Sequence, residues 1–301
     1  MSETTDRVAR AALVELAEWE GSDPVSVAKG AADVPVVFDS PHSGRFYPDD
    51  FSSVVSRKLL REYEDRFVDL LLEEAASHGI TMISAHFPRA YIDPNRAPDD
   101  LDQEMLETVW PDPLSPTRHS RQGTGLIFRR MHDASLIYER HLTLEEVRRR
   151  LDGCWRPYHA ALEAALAEAR LHGGAVWHVN WHSMRPVGDA MTPDPGASRA
   201  DFVLGDLEGT SCEPAFTAFV AERLEAMGYS VAVNHPYQGA HIVERYGQPE
   251  EGRHSLQIEI NRGLYMDLAT LEKIDRFDEI RRDVGRLAGE LSEWAMLRQA
   301  G

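Results

Sequence analysis

The sequence predicts an α/β domain with a mixed, largely parallel central sheet and helices on both faces. Two observations carry that expectation. Apolar runs of strand length alternate along the chain with longer segments of helical periodicity. Histidines and carboxylates then stand where those strands end, the edge at which open α/β sheets bind ligands.

Taken in order, residues 34–39 (VPVVFD) are short and rich in β-branched residues, and the turn SPHSGRFYP takes the chain out of that strand. The pattern over residues 56–77 predicts a helix closed by His78 and Gly79. Residues 80–85 (ITMISA) read as the next strand. Residues 87–130 are rich in Pro, Asp, Arg and Gly without sustained periodicity, which suits a long loop region carrying side chains toward a site. Residues 135–171 have a helical pattern interrupted near Gly153 and Pro157 and ended by His172, Gly173 and Gly174. Further strands are expected at 175–181, 201–205, 230–234 and 255–260, with covering helices at 213–227 and 268–298. A chain of 301 residues fits one domain spanning its whole length.

A formal net charge of -18 repels phosphate backbones and anionic lipid, and no concentrated basic patch offsets it, so nucleic-acid and membrane partners are not expected. The densest basic run, Arg148, Arg149 and Arg150, follows Glu145 and Glu146, which predicts intrahelical pairing on a solvated face. The two cysteines, Cys154 and Cys212, lie far apart and outside metal or redox spacing, which suits a reducing compartment. Residues 1–21 have acidic residues where a signal peptide needs a basic start, and no later run reaches the roughly 18 apolar residues of a span. Cytoplasmic residence is the resulting expectation.

His42 follows the first strand, His182 follows the AVWHVNW strand, and Glu259 lies within the last apolar strand. There Leu256, Ile258 and Ile260 share one face, and Gln257, Glu259 and Asn261 the other. A carboxylate in a central strand is costly unless a metal, a water or an arginine pairs with it. Two imidazoles, one carboxylate and an open position for water make the usual catalytic zinc site. Asp65 is the preferred third ligand over its neighbour Glu64. His241 and Glu244 form a competing H-x-x-E spacing, and His178 reads as a core or supporting residue. The sequence has no H-E-x-x-H, G-x-S-x-G, Walker-type or dinucleotide motif, and neither cysteine has an obvious positioned base.

The segments SPHSGRFYP, RAYIDPNR with LDQEML, NWHSMRP, DFVLGDLEGTSCEP and PYQGAHIVERYGQPEEGRHSLQIEINRGLYMD resemble, in order, the signature stretches of the N-formylglutamate amidohydrolase family, over about residues 34–267. The chain departs from the family's usual pattern at Gly239-Ala240-His241, at Pro94 and in NWHSM. The resemblance implies a fold similar to zinc carboxypeptidases, with His42, His182 and the acidic residue near Asp65 holding a divalent metal, zinc in the first instance, and Glu259 as the base. It also implies hydrolysis of N-formyl-L-glutamate to glutamate and formate, a step of histidine degradation. Such a small anionic substrate demands cationic groups, for which Arg96, Arg185 and Arg262 are the candidates, with Asn95 and Asn261 as neutral helpers. An amidase for another N-acyl amino acid or for muramoyl peptides, and a binding protein that senses an acylated amino acid, are the rival expectations.

Overall fold

The computed structural model describes residues 23–30, 34–131, 133–171, 173–190 and 192–299. The expectations drawn from residues 1–21 and from His172 lie outside the described residues.

Among the described residues, seven strands form one sheet in the order β1-β3-β2-β4-β7-β5-β6. They are β1 (Val25–Ala28), β2 (Val36–Ser40), β3 (Thr81–Ala85), β4 (Val176–Met184), β5 (Phe202–Gly205), β6 (Val231–Val233) and β7 (Arg253–Asn261). Strands β3, β2, β4 and β7 run parallel. β1 and β5 attach antiparallel to β3 and β7, and β6 pairs parallel with β5. The helices are α1 (Arg57–Leu60), α2 (Val68–Leu71), α3 (Arg118–Gln122), α4 (Leu144–Arg150), α5 (Arg156–Arg170), α6 (Pro214–Ala226), α7 (His241–Tyr246) and α8 (Phe277–Gln299).

Parallel strands need cover on both faces, and the side-chain alternation supplies it. On one face Trp177, Val179 and Trp181 of β4 and Leu256, Ile258 and Ile260 of β7 pack with Phe216 and Val220 of α6 and Ile280, Val284 and Leu287 of α8. On the other, Tyr158, Leu162 and Leu166 of α5 pack against Val37, Ile83 and Val176. This second face also carries a polar row. The register pairs His178 with Ser255, Asn180 with Gln257 and His182 with Glu259, all buried and running toward the strands' carboxyl ends. Each fully buried aliphatic contributes about 1.5–3 kcal/mol, so the apolar alternate positions can offset the cost of that row.

Several boundaries differ from the sequence expectation, each for a local reason. The helix expected at 56–77 is broken into α1, α2 and 3₁₀ turns at Arg61–Tyr63 and Glu73–His78. Asp65 N donates to His42 O (2.9 Å), and Phe67 takes a left-handed φ of 67°, so the chain leaves the helix to reach the loop after β2. The helix expected from 135 starts at Leu144, where Thr143 and Glu146 form a reciprocal cap. The interruption expected near Gly153 and Pro157 is present as a change of winding between α4 and α5. The winding widens into a π-turn at Leu151–Trp155, and Pro157, which lacks an N–H, follows that turn. The last helix starts at Phe277 because Asp267 Oδ1 accepts from Ala269 N and Thr270 N and holds a turn there. β4 runs three residues past position 181, so His182 lies inside the strand and not after it. Arg150 corrects the solvated-face expectation: it is fully buried, while Arg149 pairs with Asp50 at 2.7 Å. Among the described residues no helix is long and apolar enough to cross a membrane.

Candidate metal centre and active site

Three buried side chains converge where β2 and β4 end. His42 leaves β2, His182 rises from β4, and Asp65 enters from the extended stretch between α1 and α2. His42 Nδ1 lies 3.3 Å and His182 Nδ1 3.0 Å from Asp65 Oδ2, and the two rings are 4.6 Å apart at their centres. Glu64, the alternative third ligand, accepts from Tyr47 Oη (2.6 Å) and from Arg66 Nη1 (2.9 Å) instead.

The surroundings fix the tautomer of His42 and set two opposed contacts on His182. His42 Nε2–H donates to Asp93 Oδ1 (2.7 Å), which leaves Nδ1 with its lone pair and no hydrogen bond of its own. Asn180 donates through Nδ2 to Asp39 Oδ1 (2.8 Å), so its Oδ1 faces His182 Nε2 (2.7 Å) as an acceptor for a proton carried there. Asn95 Nδ2 lies 3.0 Å from that same ring nitrogen, and its Oδ1 accepts from Ile242 N (2.8 Å). With the His182 proton on Nε2 toward Asn180, three acceptor atoms face one another, an arrangement that a cation reconciles. A tetrahedral ion with bonds of about 2.1 Å separates its ligand atoms by roughly 3.4 Å, close to the two spacings from the imidazoles to Asp65 Oδ2. His42, Asp65 and His182 can therefore hold a metal ion.

Electrostatics favours the same outcome. Burial would raise the Asp65 carboxyl, but the facing imidazoles of His182 and His42 and the guanidinium of Arg262 hold it well below the usual carboxylate range. Burial likewise opposes ionisation of Asp93, and Arg89 with His42 overcomes it, so this carboxyl too is held well below its ordinary value. Glu259 goes the other way: burial pushes its carboxyl up, only partly countered by His182. Gln257 Nε2 donates to Glu259 Oε1 at 3.0 Å.

His42, Asp65, His182, Gln257 and Glu259 line a cavity of about 550 Å³ together with Arg89, Arg96, His119, Thr124, Asn234 and Tyr237. Of the five residues expected to bind substrate, Arg96 and Asn95 line this cavity. Arg96 Nε is 4.0 Å from Asp93 Oδ2. Arg185 and Arg262 line a smaller neighbouring cavity of about 140 Å³. Arg185 pairs with Glu62 (2.7 Å), while Arg262 donates to Asp65 Oδ1 (2.8 Å) and Ser183 Oγ (3.0 Å), fixing the carboxylate that faces the histidines. Asn261 lines neither cavity; its amide joins Ala200 O and Gly263 N at the end of β7.

The competing sites do not assemble. His241 is half-buried on α7 while Glu244 points to solvent. Burial pushes the Cys154 and Cys212 thiols up to about 12, which leaves neither as a ready nucleophile. His178 is a supporting residue within the sheet, between Ser255 Oγ (2.8 Å) and Asp39 Oδ1 (3.0 Å). Sequence reasoning missed Arg89, Asp93 and Asn180, and placed Gln257 on the face of Glu259 without giving it a role. Their signal was the period-2 polar alternation of H-x-N-x-H in β4 and Q-x-E in β7, and the acidic residue inside RAYIDPNR.

The chain is similar over most of its length to proteins of one family. The family model described as N-formylglutamate amidohydrolase matches residues 34–266. An N-formylglutamate deformylase of Pseudomonas aeruginosa is 30% identical over 281 residues, covering 89% of this chain and 96% of the relative. One from Pseudomonas putida is 29% identical over 250 residues, covering 78% and 82%. A crystal structure of N-formylglutamate amidohydrolase from Ralstonia eutropha JMP134 is 44% identical, covers 91% of this chain and 98% of its own, and superposes with a TM-score of 0.86.

Proposed function

The chain belongs to the N-formylglutamate amidohydrolase family, and on that premise we propose that it hydrolyses N-formyl-L-glutamate to glutamate and formate using a divalent metal, zinc in our reading, held by His42, Asp65 and His182. That the enzyme cuts an amide follows from the family; the substrate and the metal are the proposal. The observation that carries it is the convergence of three acceptor atoms beside Glu259 in one cavity.

When bound, the metal would polarise the amide carbonyl and lower the pKa of a water molecule toward neutrality. The remaining work falls to side chains. Glu259 takes the proton of the attacking water at Oε2, since Gln257 holds Oε1, and passes it to the departing amine nitrogen. Burial of Glu259 favours its protonated form, which suits that second transfer. Arg96, with its guanidinium on the cavity wall, pairs with a substrate carboxylate, and Asn95 with Arg262 hold the ligands in place. Two free cysteines suit the cytoplasm, and N-formylglutamate as substrate would place the step in histidine degradation.

The test is an amide-cleavage assay that reads the freed amine, with formate measured for the formyl substrate, on purified protein of measured metal content. N-formylglutamate should be cleaved far faster than N-acetylglutamate or a muramoyl peptide, with about one zinc per chain. Preference for the muramoyl peptide, or formate release that survives His42→Ala unchanged, would defeat the proposal.

A further inference from the structure

The helix behind the cavity changes its winding at one place. The N–H of Arg156 bonds to Leu151 O, five residues back, and the π-turn at Leu151–Trp155 sits between α4 and α5. In an α-helix, at about 100° per residue, side chains five apart point roughly 140° apart. The wider turn winds more slowly, so five residues come close to one full turn. Arg150 and Trp155 therefore share a face, and His159, four residues on, joins them.

All three use that face in one way. Arg150 Nη1 donates to Tyr91 O (3.0 Å), Trp155 Nε1 donates to Arg96 O (3.0 Å) and His159 Nε2 donates to Pro94 O (2.9 Å). The donors are held in turn. Arg150 stacks over the Tyr91 ring at 4.2 Å, the Trp155 and His159 rings stand 3.9 Å apart, and Tyr246 Oη donates to His159 Nδ1 (2.9 Å). The segment they grip carries Asp93, which orients His42, Asn95, which abuts His182, and Arg96 on the cavity wall.

We infer that the π-turn is a register device: it aligns Arg150, Trp155 and His159 as positioning residues that clamp the Tyr91–Arg96 backbone and, through it, set the histidines and Arg96. None of the three is a catalytic residue. Only the zinc arm of the test rests on the metal reading above.

The experiment compares full-length Trp155→Phe, His159→Leu and His159→Gln with Trp294→Phe, a change in the opposite core. Hydrogen exchange of the peptide covering residues 91–96 and zinc affinity by chelator competition are both measured. Trp155→Phe and His159→Leu should exchange at least about threefold faster there and bind zinc roughly 3–10-fold more weakly, while His159→Gln, which keeps a donor, and Trp294→Phe stay near wild type. Deleting Gly153, whose surroundings are open, restores the α-helical register and should weaken zinc by about tenfold or more. If that deletion does not fold, the point variants decide. Unchanged exchange at 91–96 in Trp155→Phe, or equal effects in Trp294→Phe, would overturn the clamp. Faster exchange with zinc affinity unaltered in both Trp155→Phe and His42→Ala would leave the clamp standing and sink the metal reading instead.

Discussion

Glu259 is held in surroundings that oppose its ordinary chemistry in water. It is nearly buried, receives one hydrogen bond from Gln257, and sits beside the carboxylate of Asp65, so its ionised form is disfavoured. A base must be ionised to work, so kcat/KM should fall as pH drops through a pKa lying above the ordinary glutamate value. Gln257→Leu removes a donor to the carboxylate, disfavours the charge further and should move that acid limb to higher pH; a limb left in place in the pH–rate profile would count against the role. Glu259→Gln, close in shape, should lower kcat by about 10²–10⁴ with metal content unchanged. Activity near wild type in that variant would remove Glu259 from the chemistry.

The elements act by delivering side chains to one edge of the sheet, and the loop after β2 is the tightest part of that delivery. A Cβ on Gly44 would stand 2.1 Å from Phe87 O and 2.6 Å from the carbonyl carbons of His86 and Phe87, backbone atoms that cannot move aside cheaply. Gly44→Ala should therefore push the loop carrying His42 off the segment that follows β3, destabilise the fold by about 2 kcal/mol or more and weaken metal binding. Thermal melting with chelator competition checks both, and a variant as stable and as tightly loaded as wild type would contradict it. Strand alternation made the sheet readable: Leu256, Ile258 and Ile260 face the core, and Gln257 with Glu259 face the cavity. The stretch around Asp65 was not readable as structure, because FVDLLLEEAA has helical periodicity while the bond from Asp65 N to His42 O is long-range. Arg150 was misplaced for a related reason. A run of three arginines looks solvated until the aromatic box of Phe51, Tyr91 and Tyr138, distant in sequence, closes around one of them.

At the scale of the whole molecule, two apolar layers sandwich a sheet whose second face carries the polar row leading to the site. A metal bound there touches the loop after β2, strand β4 and the segment between α1 and α2, so its binding energy is added to the native state alone. At about a thousandfold excess over its dissociation constant such an ion stabilises by roughly 4 kcal/mol, or about 6 °C in Tm for a chain of this length. Chelation should lower Tm by that order and zinc should restore it; a Tm indifferent to both would contradict the account. The acidic balance of the surface is legible in composition, whereas the local cationic wall of Arg89 and Arg96 is not, because it exists only once the loop folds over the strand ends.

The most direct measurement is anomalous diffraction at the zinc edge from crystals of the active, zinc-loaded enzyme. The account predicts one peak about 2 Å from His42 Nδ1, His182 Nδ1 and Asp65 Oδ2, inside the cavity that Glu259 lines. A peak at other residues, or none in crystals whose dissolved protein still cleaves its substrate, would contradict it.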